Sequence, residues 1–495
     1  MRHYTLYEFQ DWLKPLDENV LGLADAEVSL INDDRVGKAL DDFYEGKHKD
    51  VFFHLALKAI KIFKIDCSQV HQDTTSITFA GKYGGWSAQE ILTYGHNKDH
   101  RPDLKQLVLG LSVSADGGIP LVHKIYDGNQ TDDRLHLDNH QRLRKLLGRA
   151  DFIYVADCKL ATTENLQKIS AFGGRFVSVM PRTWKDDRKF REEIKLGKIE
   201  WSHLISRKNN RTPQSKMDHY SVAKGKFTAL KDYTIHWLRS TQKAEQDVDT
   251  RLRRIDKAET GLRLLQTRLN KYHLKTREQI GLAAKSILKD TQAMKFLTIK
   301  IDGITSSKIK HKKRGRPKPG ARGIKIHSDL FSLTFSIDKA AIAEDSLDDG
   351  VFPLITNLDD KYSAKDALKI YKFQPFLEKR HSQLKSYQEI APVFLKKAER
   401  VVSLLHVHVM ALMVAALIER QIRLAMRKNK LDAIPIYPEG RPCKSPTMFD
   451  IVRLFRDVER FEVQHNDITT VFPAQLSKVQ IQVLELLNVP ISLYH

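Results

Sequence analysis

Polar and apolar positions change period twice along this chain. Up to about residue 66 the spacing is helical. INDDRVGKALDDFYEG sets an Asn-Asp cap ahead of an amphipathic run, and DVFFHLALKAIKIFK follows as a second helix. The period then drops to two. CSQVHQDTTSITFAG is β-branched and alternating, which predicts a strand, and LKQLVLGLSVSADGGIPLVHKIYDGN predicts two strands joined at Asp116-Gly117-Gly118. DRLHLDNHQRLRKLLG is helical again. DFIYVADC is a continuous apolar run, the pattern of a strand buried on both faces. LATTENLQKISAF predicts a helix capped at Thr162 or Thr163, and GRFVSVMP a further strand.

The order over residues 68–181 is thus three strands followed by alternating helix and strand, which is the element order of the ribonuclease H-like fold. The regular pattern is then interrupted. DTRLRRIDKAETGLRLLQTRLNKY spaces Ile255, Leu262 and Leu269 seven apart, which permits a short coiled coil or a helical hairpin. KIKHKKRGRPKPGARGIK, residues 308–325, holds nine Lys or Arg and no acid, and its Pro and Gly predict a linker or exposed loop. LFSLTFSIDKAAIA and DGVFPLITN read as strands returning the chain to its core. VVSLLHVHVMALMVAALI, from Val401 to Ile418, is as long as a short membrane span, but Ser403, His406 and His408 favour a buried helix. The expected class is α/β: a mixed five-stranded sheet flanked by helices, interrupted by a large α+β insertion, with helical N- and C-terminal extensions. The expected segments are 1–66 (helical), 67–184 and 346–425 (the two parts of the core), 185–345 (insertion) and 426–495 (tail).

One stretch in the second core segment asks for more than packing. Placed on a helix, YKFQPFLEKRHSQLK brings Tyr371, Gln374, Glu378 and Lys385 within an arc of roughly 60°. An ordinary solvated face explains such a stripe. So does a site for a metal and phosphates. The net charge of +21 weighs on this choice, because it calls for a polyanionic partner, nucleic acid before an anionic membrane surface. Hydrophobic content of 41% is that of a globular protein. Cys67, Cys158 and Cys443 form no CxxC pair, which argues against a disulfide framework or zinc and fits a reducing cytoplasm. MRHYTLYEFQDWLKPLDENV is too polar for a signal peptide.

Two more carboxylates join Glu378. Asp73 lies on the first strand and Asp157 ends the buried run, where a carboxylate is costly unless a cation neutralises it. In the expected sheet these strands are neighbours. Three carboxylates make a hard oxygen site suited to Mg²⁺ or Mn²⁺. Asp66 precedes the strand and is the weaker candidate. His96, Asp99, His100 and Asp103 have metal-like spacing but read as a polar loop. Arg314-Gly315-Arg316-Pro317 has the form of an AT-hook core, an extended segment that enters a narrow A·T minor groove. A generic phosphate-binding basic loop explains it nearly as well.

YKFQPFLEKRHSQLK resembles the YxxRxxxExxxxxxK signature of bacterial insertion-sequence transposases of the Asp-Asp-Glu type, the Y-R-E-K signature group. Tyr371, Glu378 and Lys385 match in place, and Gln374 stands where the pattern has arginine. HQDTTS and YVADCKLAT are similar to the segments holding that family's two aspartates, and the similarity spans residues 30–450. The resemblance implies that Asp73, Asp157 and Glu378 bind two Mg²⁺ or Mn²⁺ ions and form the catalytic triad. It implies that Tyr371 and Lys385 contact phosphates. It further implies cleavage of double-stranded DNA at terminal inverted repeats, transfer of the 3′-end into target DNA, and a homodimer that pairs two ends. Gln374 would donate hydrogen bonds to DNA without arginine's charge or fork. The family carries a longer helical region ahead of NDDR than the thirty residues here, so part of an end-binding domain is expected to be missing. Two alternatives stand beside this one: a DNA-binding protein that has lost catalysis, and a metal-dependent nuclease on the same fold.

Overall fold

The computed structural model describes residues 8–14, 16, 30–46, 48–79, 91–95, 101–130, 135–208, 217–230, 232–310, 324–388, 390, 395, 397–465 and 468–494. The chain divides into two units, Met1–Val179 with Ile355–His495, and Met180–Leu354. The sequence boundaries of 185 and 345 fall inside the second.

The first unit opens with a short helix at Phe9–Leu13, then α1 (Asp33–Glu45) and α2 (His48–Phe63). Asn32 caps α1 by accepting from the Arg35 N–H, the signal read in INDDR. Its sheet is built from β1 (Gln69–Phe79), β2 (Lys105–Ser114), β3 (Pro120–Asp127), β4 (Ile153–Ala156) and β5 (Arg175–Val179). Helix α3 (Leu135–Leu147) precedes β4, and α4 (Thr163–Ala171) lies between β4 and β5. These five follow the order β3-β2-β1-β4-β5, and a short strand at Thr93–Tyr94 also pairs with β2. β2 is antiparallel to β3 and β1, whereas β1, β4 and β5 run parallel. The sheet is therefore mixed. The turn between β2 and β3 falls at the expected place. Gly117 (φ 86°) and Gly118 (φ 67°) take the left-handed backbone that side chains resist. Thr162 caps α4 as its sequence predicts.

β4 is buried along its whole length, as its apolar run requires. Val70, Leu107, Leu109, Leu111, Phe152 and Tyr154 form the centre of this core. Asn139 of α3 donates to Ser112 Oγ (2.6 Å) and Tyr154 Oη (3.0 Å), fixing the helix over β2 and β4.

The second unit contains α5 (Lys185–Lys195), then β6 (Trp201–Lys208), β7 (Met217–Ala223), β8 (Phe227–Ala229) and β9 (Tyr233–Ser240), paired antiparallel. Helices α6 (Thr241–Gln266) and α7 (Arg277–Asp290) form a hairpin around Ile255, Leu262, Ala284 and Leu288. α6 stops three residues short of Leu269, so the seven-residue seam ends after Leu262 and the hairpin is the form adopted. β10 (Leu297–Lys310) and β11 (Ile324–Ile337) make a two-stranded ribbon whose last pair is Lys310 with Ile324. The ribbon thus extends into the stretch expected to be a loop from residue 308. Asp338 then caps α8 (Lys339–Ser346), so DKAAIA is helix where a strand was expected. The alternation of LFSLTFSI ends at Ile337, and an Asp followed by Ala-rich sequence starts a helix. β12 (Val351–Thr356) carries the chain back to the first unit.

There follow α9 (Ala364–Tyr371), α10 (Gln374–Ser382) with a π turn at Gln383–Tyr387, α11 (Ala398–Lys428) and α12 (Met448–Leu454). A two-stranded hairpin, Phe461–His465 with Ile468–Phe472, α13 (Lys478–Leu487) and a 3-10 turn at Ile491–Tyr494 end the described chain. Among the described residues α11 is the one helix long and apolar enough to cross a membrane. Val401, Leu405, Val409, Leu412 and Ala416 are buried, and α11 packs against α1, β3 and α13.

Candidate active site

Asp73 sits midway along β1, opposite Leu111 of β2. Its carboxylate accepts from the Thr74 N–H (2.8 Å) and lies 3.7 Å from His381 Nδ1. Asp157 follows β4 directly. It accepts from the Lys159 N–H at 3.0 Å, and its carbonyl accepts from Ser178 Oγ of β5 at 2.7 Å. β1 and β4 pair in parallel with His71 level with Val155. The pairing ends there, so Asp73 continues along β1 while Asp157 follows the end of β4, each two residues beyond the last pair. Glu378 comes from α10 and is exposed. Tyr371, the last residue of α9, is where the three meet electrostatically. Burial pushes its phenol up strongly, and Asp157, Cys158, Glu378 and Asp73 each add to the rise. The phenol therefore keeps its proton and can donate a hydrogen bond.

The four-residue stripe does not lie on one helix. α9 ends at Tyr371, Lys372–Phe373 is a turn, α10 begins at Gln374, and Lys385 falls in the π turn. Pro375 has no N–H to offer the Tyr371 carbonyl, so the helix breaks one turn upstream of it. Gln374 is buried, donating to the Gln72 carbonyl (3.0 Å) and facing His71 Nδ1 (3.2 Å). Its amide fastens α10 to β1 beside Asp73. Lys385 is exposed. Arg314, Arg316, His96, Asp99 and His100 fall outside the described residues. Asp103 pairs with Arg101, and Asp66 accepts from Ser68 ahead of β1.

A comparison with protein-family models and with curated proteins returned no match.

In kind, the donor set fits a hard divalent cation: three carboxylates, two of them at the centre of a buried sheet. Among the described residues, however, no three His, Cys, Asp or Glu side chains stand at metal-holding spacing. Cys158 offers no competing chemistry, since burial and then Asp157 push its thiol up and away from thiolate.

Sequence reasoning missed the buried network behind α10. Arg380 donates to Glu419 Oε2 (2.8 Å), Gln383 Oε1 (2.6 Å) and the carbonyls of Gly117 (2.8 Å) and Gly118 (3.0 Å). Glu419 of α11 also accepts from Gln383 Nε2 and the Met448 N–H. Arg420 holds Asp116 in the same turn. The helix bearing Glu378 is thus tied to the β2–β3 turn and to α11 by charge. The available signal was ERQIR, charges interrupting an apolar helix.

His71 gives this region a pH dependence. Burial lowers its pKa from 6.5 to about 4, against the opposing hydrogen bond with Gln374. The unfolded chain therefore takes up a proton first. The stability that neutral His71 contributes is whole above pH 6.5 and lost as pH falls toward 4, about 2 kcal/mol of it between pH 7 and 5. In His71→Asn the loss measured by urea unfolding at those two pH values is expected to shrink by that amount. An equal loss in both proteins would reject this role.

Proposed function

We propose that this chain is a DNA transposase of the Asp-Asp-Glu type with a ribonuclease H-like core. The observation that supports the reading is that Asp73 and Asp157 come from the adjacent parallel strands β1 and β4, with His381 of the helix that carries Glu378 3.7 Å from Asp73. The strand order β3-β2-β1-β4-β5, antiparallel for three strands and parallel for the rest, supports the core. The +21 charge supports a DNA partner.

In this reading Asp73, Asp157 and Glu378 hold Mg²⁺ or Mn²⁺. When bound, such ions stabilise the attacking and leaving oxygens of an in-line displacement. Tyr371 keeps its proton and donates it in a hydrogen bond to a phosphate oxygen. Lys385 adds positive charge. Gln374 and Arg380 hold α10 in place. Water attacks a phosphodiester at the element's end, one P–O bond forming as another breaks, and a 3′-hydroxyl leaves. That hydroxyl then attacks a phosphodiester in target DNA, its oxygen forming a new bond to phosphorus as the target's own P–O3′ bond breaks and a target 3′-hydroxyl leaves. The working unit is a dimer that pairs two ends, acting in the cytoplasm.

One test separates this from a second reading, a DNA-binding protein without catalysis. The test supplies a labelled duplex carrying the ends that flank the chain's own gene, with Mg²⁺ or Mn²⁺ and a target plasmid. End-specific nicking followed by joining of the 3′-end to the plasmid is expected. Nicking without joining indicates a nuclease, and specific binding without nicking the second reading.

The basic segment makes a separate prediction. Replacing Arg314 and Arg316 by Ala should weaken duplex binding and lower the slope of log K against log salt by about 2. Unchanged affinity across a salt series would remove the segment from the interface.

A further inference from the structure

In the second unit, β6 carries an irregularity that the transposase reading leaves unused. His203 of β6 pairs with Ser221 of β7, and Ser206 pairs with His219, but the register shifts between His203 and Ile205. Residues three apart on a regular strand point to opposite faces. The bulge at Leu204 adds the residue that brings His203 and Ser206 to one face, where His219 and Ser221 also lie. Both imidazoles turn to one point there. Ser206 Oγ is 2.8 Å from His219 Nδ1 and 3.4 Å from His203 Nε2, and the ring centroids are 6.4 Å apart. Both histidines are exposed. The His219 N–H donates to Thr241 Oγ1 at the start of α6 (3.0 Å), which fixes its backbone. His219 also lines a cavity of about 650 Å³, together with Glu245 and Asp249 of α6 and Arg239 of β9. Two carboxylates against one guanidinium make this lining acidic in a chain of net charge +21.

We propose that His203 and His219 bind one divalent cation of the Zn²⁺ class between β6 and β7. Imidazole nitrogen suits Zn²⁺, Ni²⁺ and Cu²⁺, whereas a carboxylate set suits Mg²⁺ or Mn²⁺. A hydroxyl has one proton, so Ser206 can donate to only one of the two rings and must accept from the other. A cation takes a lone pair from both. The Zn–N length of about 2.0–2.1 Å is reached by closing the two exposed rings on the point the hydroxyl holds, as Ser206 turns away. Among the described residues no third His, Cys, Asp or Glu completes a metal-holding group. Water therefore fills the remaining positions, and Glu245 and Asp249 supply compensating charge across the cavity. β6 is the outermost strand of the set β9-β7-β6, so the ion clips an edge that the sheet holds from one side only. The inference is independent of the transposase reading.

The test titrates Zn²⁺ calorimetrically into the full chain after stripping with a chelator, with Mg²⁺ in excess to fill any hard oxygen site. One equivalent is expected to bind. His203→Ala and His219→Ala should each weaken it by more than about tenfold. His219→Cys should retain it, because thiolate also ligates zinc, and this separates loss of a ligand from loss of the fold. Ser206→Ala should bind at least as tightly as wild type, since the hydroxyl competes for both nitrogens. Equal affinity in either alanine variant at the histidines would overturn the proposal. So would loss of binding in Ser206→Ala or His219→Cys. The titration should be unchanged in Asp157→Asn. An equivalent lost there would assign the ion to the carboxylates and overturn the proposal while leaving the transposase reading standing.

Discussion

Asp157→Asn should abolish metal-dependent nicking of the end-containing duplex while leaving its binding unchanged. The replacement is nearly isosteric, and its carbonyl oxygen can still accept from the Lys159 N–H. β4 ahead of it is held by apolar burial that the change does not touch. What disappears is one negative charge at the end of the strand paired with that of Asp73. In the proposed site, a cation held by these carboxylates would lose a ligand, and the charge that builds on the attacked phosphate would lose its compensation. A loss of about a thousandfold or more in cleavage rate is expected, roughly 4 kcal/mol in the barrier. Tyr371 supplies an internal check. With Asp157 neutral, one contribution to its raised pKa is gone, so the phenol should titrate at lower pH in the variant. Equal nicking by both proteins would remove Asp157 from the site. Specific binding without cleavage by either would favour the non-catalytic reading.

Much of the first unit was legible because its signals are local. Alternation and β-branching mark β1, Gly117 and Gly118 mark the turn, and Thr162 and Asn32 mark helix starts at the residues the structure uses. The position of Asp157 was legible for a related reason: it ends a run too apolar to be anything but a buried strand. Two misreadings had signals that a stronger pattern masked. Pro375 stood inside the quoted stretch, yet the 3-4-7 spacing was followed through it, and the helix breaks there. Asp338 was a cap, yet the alternation before it was carried into DKAAIA. The side-chain partners were not legible at all. Gln374 reaches Gln72 across about three hundred residues, and Arg380 reaches Glu419 across another helix. Nothing in local period or composition pairs them. Helix spacing says which way a side chain faces, and only the fold says what it meets.

The Arg380–Glu419 pair carries the second large effect. Glu419→Ala should destabilise the protein by about 3–5 kcal/mol. Its side chain is 1% exposed and that of Arg380 is 5% exposed. Burial alone would raise the Glu419 pKa, but Arg380, the Met448 N–H and Arg423 together hold it below the usual carboxylate value, so it is ionised in the fold. Removing it strands a guanidinium with no counter-charge and frees the Gln383 amide and the Met448 N–H. A domain's whole stability is commonly about 5–15 kcal/mol, so the loss should be plain in urea unfolding at neutral pH. The sign with pH follows. A lowered carboxylate pKa contributes stability that is present above the unfolded value near 4.5 and lost as pH falls, so the gap between wild type and variant should narrow in acid. The double change Arg380→Met with Glu419→Leu should cost less than the sum of the single changes, because no charge is left unpaired. The carbonyls of Gly117 and Gly118 would still lose their donor, so the pair does not return to wild type. Cleavage should fall with stability, since α10 carries Glu378 and takes its position from this network. A Glu419→Ala protein within 1 kcal/mol of wild type would mean that α10 is placed by Gln374 and apolar packing alone.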